Sequence, residues 1–331
     1  MVQKLTDKKI LVTGGAGFIG SNLCEYFLGN DNEVLCLDDL STGYLTNLES
    51  LLSNPKFQFI KGDICDYATC VKVLEGVDYV FHQAALGSIP RSIDNPRRSN
   101  EVNVSGFLNM LTAAKEEGVK RFIFAASSST YGDHKGLPKV EDKIGNPLSP
   151  YAVTKYTNEL YGKVFSDLYG MEIIGLRYFN VFGKNQSPEG PYAAAIPKFV
   201  SALIGKESPT IHGDGEQSRD FTYIANVLQA NEKAALAESN VAMGEIYNVA
   251  CGQKCTVNEL LEILKSELTQ FDSEIAEVEI IYGPERPGDV KHSLADISKA
   301  KNNLDYRPNF DLKKGIKKAI HWYWQSLSLS N

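Results

Sequence analysis

Short apolar runs alternate with helical stretches through the first half of the chain. Lys9-Ile10-Leu11-Val12-Thr13 is the first run, followed by glycines and then by Phe18, Leu23 and Phe27 at helical spacing. Further runs occupy residues 33–37, 57–60, 77–81, 121–126 and 172–177. Between residues 97 and 117, Val104, Phe107, Leu108 and Leu111 recur at the spacing of one long helix. A second long helix is predicted over residues 150–169. Continuous apolar strands separated by helices require a parallel sheet covered on both faces, so the fold class is α/β. After Asn180 the texture changes: Gly, Pro and Asn cluster over 183–197 and the elements shorten. Helices are expected near 196–205, 224–238, 256–269 and 311–326, with a strand at 246–249. This pattern reads as a sheet domain over 1–180 and a smaller α/β lobe over 181–331, with some exchange of chain between them.

Composition narrows the function classes. The 331 residues carry 34 Lys+Arg against 41 Asp+Glu, a formal charge of −7, and no long basic run. That balance argues against nucleic acid as the partner while leaving room for a local phosphate site. The six cysteines (24, 36, 65, 70, 251 and 255) show neither CxxC spacing nor a histidine beside a pair, so no metal site and no disulfide framework is expected. No apolar run reaches membrane-spanning length, and the N-terminus enters a strand without a signal-peptide core. The expectation is a soluble cytoplasmic protein.

The first strand runs into Thr13-Gly14-Gly15-Ala16-Gly17-Phe18-Ile19-Gly20, with glycines at i, i+3 and i+6. Such glycines permit a tight turn, close approach of backbone to a pyrophosphate, and close helix–strand packing. The helix that follows offers free N–H groups to the phosphates. A glycine triplet alone is weak, but here a strand precedes it, a helix follows, and Asp38 ends the second strand. This is the layout of a Rossmann-type sheet. The Asp38 carboxylate suits an adenosine ribose diol, and no Arg or Lys in Asp39-Leu40-Ser41 would neutralise a 2′-phosphate, so NAD is favoured over NADP. Ends of other strands belong to the same groove: Asp63-Ile64 after the third, Gln83-Ala84-Ala85 after the fourth. Two readings of Asp63 stay open, a bond to the adenine amino group or the N-cap of the next helix.

Strand five ends in Ser127-Ser128-Ser129-Thr130-Tyr131-Gly132, and the next helix opens with Ser149-Pro150-Tyr151-Ala152-Val153-Thr154-Lys155. Tyr151 and Lys155, four apart, share a helix face. A phenol titrates at about 10, and lowering it three units takes about 4 kcal/mol. The neighbouring ammonium and a positively charged nicotinamide ring are expected to supply that in a partly desolvated site. Ser127 would bond the substrate oxygen and relay its proton, and Lys155 would hold the nicotinamide ribose.

These motifs, with Arg177-Tyr178-Phe179-Asn180, Arg219-Asp220-Phe221 and Arg286-Pro287-Gly288-Asp289 following in order, resemble the extended short-chain dehydrogenases/reductases over essentially the whole chain, and specifically the nucleotide-sugar 4-epimerases. The segments 83–88, 126–134 and 291–296 resemble those of bacterial UDP-N-acetylglucosamine 4-epimerases, which feed surface-polysaccharide synthesis. The resemblance implies tightly bound NAD, transient oxidation at the sugar C4, and re-reduction on the opposite face. It places Phe18, Ile19, Asp39, Asn103 and Tyr178 with the cofactor residues. It assigns Ser88, Arg91, Ser127, Ser128, Ser129 and Asn180 to the substrate, Arg219 and Arg286 to its diphosphate, and Asp289 to the uridine ribose. Read singly, each arginine is equally a structural salt bridge. The resemblance further implies that Ser293 and Ala194, where relatives restricted to UDP-glucose and UDP-galactose carry bulkier residues, leave room for a 2-N-acetyl group. A homodimer through two long helices is implied as well, with Phe107, Leu111, Leu160 and Val164 available as a seam or as sheet-packing residues.

Rival readings have their own requirements. A 4,6-dehydratase wants an acid pair just after Ser127, where Ser128 and Ser129 stand. A UDP-glucuronate decarboxylase needs an additional basic residue for the sugar carboxylate, and none is evident. A non-catalytic NAD-binding scaffold would have no use for an intact Tyr151 and Lys155.

Overall fold

The computed structural model describes residues 3–188, 194–285 and 291–328. Six strands, β1 (Lys9–Thr13), β2 (Glu33–Asp38), β3 (Phe57–Lys61), β4 (Tyr79–His82), β5 (Arg121–Ser127) and β6 (Glu172–Tyr178), form a parallel sheet. A seventh, Glu245–Val249, returns from the second half and pairs in parallel with β6. The spatial order is 245–249, β6, β5, β4, β1, β2, β3. Order reverses between β1 and β4, the switch point at which such sheets open a crevice beyond their strand ends.

The strands alternate between two cores. Ile10 and Val12 face one apolar cluster with Phe27, Phe81 and Ile174, while Leu11 faces another with Leu37, Val80, Phe107 and Phe122. Both sides of the sheet are therefore dry, which explains the unbroken apolar runs. Helices α1 (Phe18–Leu28), α2 (Tyr67–Leu74), α3 (Ile89–Asp94), α4 (Pro96–Asn100), α5 (Phe107–Glu116) and α6 (Pro150–Tyr169) accompany them. Local chemistry sets the ends of α6. The Ser149 hydroxyl accepts from the Ala152 N–H at 3.1 Å, Pro150 fills the first turn, and Gly170 closes it at φ 67°.

The long helix expected over 97–117 is interrupted. Between α4 and α5 lies a π-helical stretch, Glu101–Gly106. Its cause is tertiary: a Cβ on Gly106 would stand 2.7 Å from the Ile64 side chain, and Asn103 turns inward to brace the β4 loop. A third apolar core lies beyond the sheet, where α7 (Ala195–Ile204), α10 (Val257–Leu268) and α12 (Leu312–Ser328) surround Phe182, Val200, Leu261 and Ile320. Among the remaining helices, α8 (Ile224–Leu236), α9 (Ser239–Ala242) and α11 (Ser298–Leu304), α8 buries Val227, Ala230 and Ala234 in the first core. The second half thus supplies both a strand and a helix to the sheet.

Candidate active site

Strand ends and glycines build a cleft of about 570 Å³ across the switch point. Gly14, Gly17, Phe18, Ile19 and Gly20 form one wall, with Asp38, Asp39, Asp63, Ile64, Gln83, Ala84 and Ala85 around it. Gly14 adopts φ 66°, and a Cβ there would lie 2.7 Å from the Ala84 backbone. At Gly20 a Cβ would meet the Gly14 carbonyl oxygen at 2.1 Å. Only glycine lets loop and helix close this far. Behind the loop, the Ala84 N–H donates to Thr13 Oγ1 at 3.2 Å, and that hydroxyl meets His82 Nδ1 at 2.9 Å. His82 is buried, and desolvation pushes it down to about 3, so the ring stays neutral.

Asp38 caps the loop. Its carboxylate accepts from the Ala16 N–H at 2.9 Å and the Leu40 N–H at 2.8 Å. Burial raises its carboxyl above the ordinary value and those two donors oppose the rise. Asp39 accepts from the Ser41 N–H and hydroxyl, which shapes the turn beside it. Asp63 lines the cleft and is not a helix cap, since Asp66 caps α2. It accepts from the Cys65 N–H at 2.8 Å and pairs with Arg98 at 3.3 Å. The Gln83 carboxamide is buried in the cleft beside the Tyr178 hydroxyl, and neither of its ends meets a partner at full hydrogen-bond geometry, a cost that a bound polar ligand relieves. A glycine cradle, an acid at the end of β2 and a buried amide facing the cleft together fit a dinucleotide.

Tyr151 and Lys155 of α6 and Ser127 of β5 meet at the same cleft, with Tyr178 from β6 beside them. Burial pushes the Tyr151 phenol above its usual value, and a hydrogen bond with Ser127 is the opposing influence. The expected depression by Lys155 is absent here. Instead, the ammonium donates to the Ala125 carbonyl at 2.9 Å, and burial lowers it to about 8, against the pull of Glu159. The Ser127 hydroxyl accepts from the Ser129 N–H at 3.2 Å and the Ser129 hydroxyl at 2.9 Å, so its own proton is free for Tyr151.

Several expected contacts serve elsewhere. Asn103 is buried behind the cleft: its Oδ1 accepts from the Leu86 N–H at 2.7 Å, and its Nδ2 donates to the Leu86 carbonyl and Thr154 Oγ1. It braces the loop from behind and does not line the cleft. Ser88, at φ 142°, caps α3 by accepting from the Arg91 N–H, while Arg91 lines the cleft. Ser128 and Ser129 lie in the 3-10 turn after β5, where Ser129 supports Ser127.

A second cavity, of about 410 Å³, adjoins the first and shares Asn180, Val181, Gln186 and Ala194 with it. Asn180, at φ 36°, donates to the Asp220 carbonyl, and Arg219 lines the far side. The Ser293 N–H donates to the Ser218 carbonyl at 3.0 Å, which sets it beside Arg219. Asp220, fully buried, holds this region together by accepting from the N–H groups of Cys251, Gly252 and Ala295, and burial raises it to about 6. Arg286 and Asp289 lie outside the described residues. His82 and Gln186 escaped sequence reasoning. A histidine just before Gln83 was the available signal for the first, and no motif marks the second.

A family model described as GDP-mannose 4,6 dehydratase matches residues 11–319. A putative UDP-glucose 4-epimerase of Methanocaldococcus jannaschii is 40% identical over 315 residues, covering 95% of this chain and 97% of that one. Among solved structures, UDP-N-acetylglucosamine 4-epimerase from Methanobrevibacter ruminantium M1, in complex with UDP-N-acetylmuramic acid, superposes with a TM-score of 0.90 at 41% identity, covering 97% of this chain and 100% of that one. UDP-glucuronic acid 4-epimerase from Bacillus cereus, in complex with UDP-glucuronic acid and NAD, gives a TM-score of 0.86 at 32% identity, covering 96% and 99%. The chain belongs to this family of extended short-chain dehydrogenases/reductases, among the NAD-dependent UDP-sugar 4-epimerases.

Proposed function

We propose that this enzyme interconverts UDP-N-acetylglucosamine and UDP-N-acetylgalactosamine, in the cytoplasm, as a supply for surface-polysaccharide synthesis. NAD, when bound, supplies a hydride acceptor that returns the hydride to the opposite face of the sugar. Ser127 holds the sugar 4-oxygen and passes its proton to the Tyr151 phenolate, which the Lys155 ammonium and the positive charge of bound NAD would stabilise against burial, and Arg219 binds the diphosphate. Arg286 and Asp289 complete the nucleotide site in this reading. The six unpaired thiols accord with a reducing compartment. We propose too that two copies pair along α6.

The observation that carries the sugar assignment is Ala194, which lines both cavities at their junction and presents a methyl group there. Ser293 lies beside Arg219 and is equally small. A 2-N-acetyl group needs space of this kind in both orientations of the sugar. The M. ruminantium relative, a UDP-N-acetylglucosamine 4-epimerase, supports the same reading. Serines in place of an acid pair after Ser127 speak against dehydration.

The test is turnover of both sugar pairs by the purified protein and by Ser293→Tyr. The acetylated pair should be the better substrate for the parent. Ser293 lines neither cavity, so a phenol there would reach the sugar from beside Arg219; overpacking a formed site typically costs 1–3 kcal/mol or more, about 5- to 150-fold, and should fall on the acetylated pair while sparing UDP-glucose and UDP-galactose. Equal loss on both pairs, or no loss, removes Ser293 as the gate.

A further inference from the structure

The most deeply buried ion pair among the described residues joins Arg177 to Glu159, whose side chains are 3% and 5% exposed. Its geometry is a fork on a fork: Arg177 Nε donates to Glu159 Oε1 at 2.8 Å and Nη2 to Oε2 at 2.6 Å. Arg177 Nη1 donates to the Glu141 carbonyl at 2.9 Å, and the guanidinium lies 4.7 Å from the centre of the Tyr131 ring. The Thr130 hydroxyl donates to Glu159 Oε1 at 3.3 Å. Burying such a pair is a poor route to stability, because desolvation offsets the attraction. What it fixes is relative position.

Three segments meet at this pair, and each carries part of the reacting constellation. Glu159 lies on α6, eight residues after Tyr151 and four after Lys155. Thr130 and Tyr131 end the turn that starts from Ser127. Arg177 lies on β6, where Ala126 pairs with Arg177 and Ser127 with Tyr178. Neither charged side chain lines the cleft. We infer that Arg177 and Glu159 are positioning residues that lock the Ser127 turn against α6 and so set the Ser127–Tyr151 contact through which the proton moves. This inference rests on the epimerase reading above.

Three variants test it: Arg177→Lys, which keeps the charge but loses the fork; Glu159→Gln; and the double Glu159→Leu/Arg177→Met, which leaves no buried charge unpaired and guards against failure of the single variants to fold. kcat, KM, bound NAD and melting temperature are measured with UDP-N-acetylglucosamine, or with UDP-glucose where the parent prefers it. A misplaced proton relay should lower kcat about 10- to 100-fold in Arg177→Lys and in the double variant. KM and NAD content should stay within about threefold of the parent, since the binding walls are untouched. A folded double variant with parental kcat, or losses in kcat that only follow the folded fraction, would overturn the assignment. A parent that epimerises neither the N-acetylated nor the plain UDP-hexose pair would instead remove the epimerase reading and this inference with it.

Discussion

At the scale of single residues, burial opposes charge at two groups of the site, the Tyr151 phenol and the His82 ring behind the glycine loop. Burial holds the Tyr151 phenol high, with Ser127 opposing, so proton removal from substrate requires the phenolate, which the Lys155 ammonium and the positive charge of a bound nicotinamide would stabilise. Tyr151→Phe deletes the acceptor while leaving the glycine cradle intact. Positioned acid–base catalysis is worth about 10²–10⁴-fold, so kcat should fall at least that far with NAD still bound. Activity within tenfold of the parent would reject the role. His82 gives a pH prediction. The native chain holds it neutral down to about 3, whereas the unfolded chain takes up a proton below about 6.5. Stability from its neutral form is therefore complete above that value and is lost as pH falls toward 3. Asp220 works in the opposite sense, because a carboxyl raised to about 6 binds its proton in the native state first and gains stability as pH falls through that value. Replacing His82 by Gln should remove about 1.5 kcal/mol of the stability lost between pH 6.5 and pH 5. Denaturant midpoints of parent and variant across that range check it, and parallel curves would dismiss His82 as the source.

At the scale of elements, what could be read from sequence was what local chemistry determines. The six apolar runs became strands because the sheet is dry on both faces, and α6 ran as predicted because Ser149, Pro150 and Gly170 mark its ends in the chain itself. The glycine loop was legible for the same reason: each missing Cβ answers a contact a few residues away or at the neighbouring strand end. What escaped depends on distant partners. The π-helical break at Glu101–Gly106 follows from Ile64 packing on Gly106 and from Asn103 bracing Leu86. Asp63 meets Arg98 from α4, 35 residues away, which neither proposed role anticipated. Apolar spacing likewise could not say that the strand at Glu245–Val249 would leave the second half and pair with β6.

At the scale of the whole molecule, the outer face of α6 leaves an apolar stripe uncovered. Phe107 and Leu111, offered by the sequence as part of a dimer seam, are fully buried beneath the sheet and cannot contribute. Leu160 and Val164 are different, at 50% and 47% exposed, and they line up with Val153 and Leu168 at helical intervals of seven, four and four residues. Single exposed apolar residues are ordinary, but four on one face of one helix make a continuous stripe that water covers at a cost. A two-fold axis across that stripe would lay each copy's α6 against the other's, an isologous contact in which one patch serves both sides. The catalytic face of the same helix, with Tyr151 and Lys155, points into the cleft, so pairing would stiffen the helix that carries the reacting groups. The parent should therefore sediment at twice its 36.5 kDa mass, and Leu160→Lys with Val164→Lys should return it to a monomer that still binds NAD. A parent that is monomeric at micromolar concentration, or a double variant that remains paired, would place the interface elsewhere.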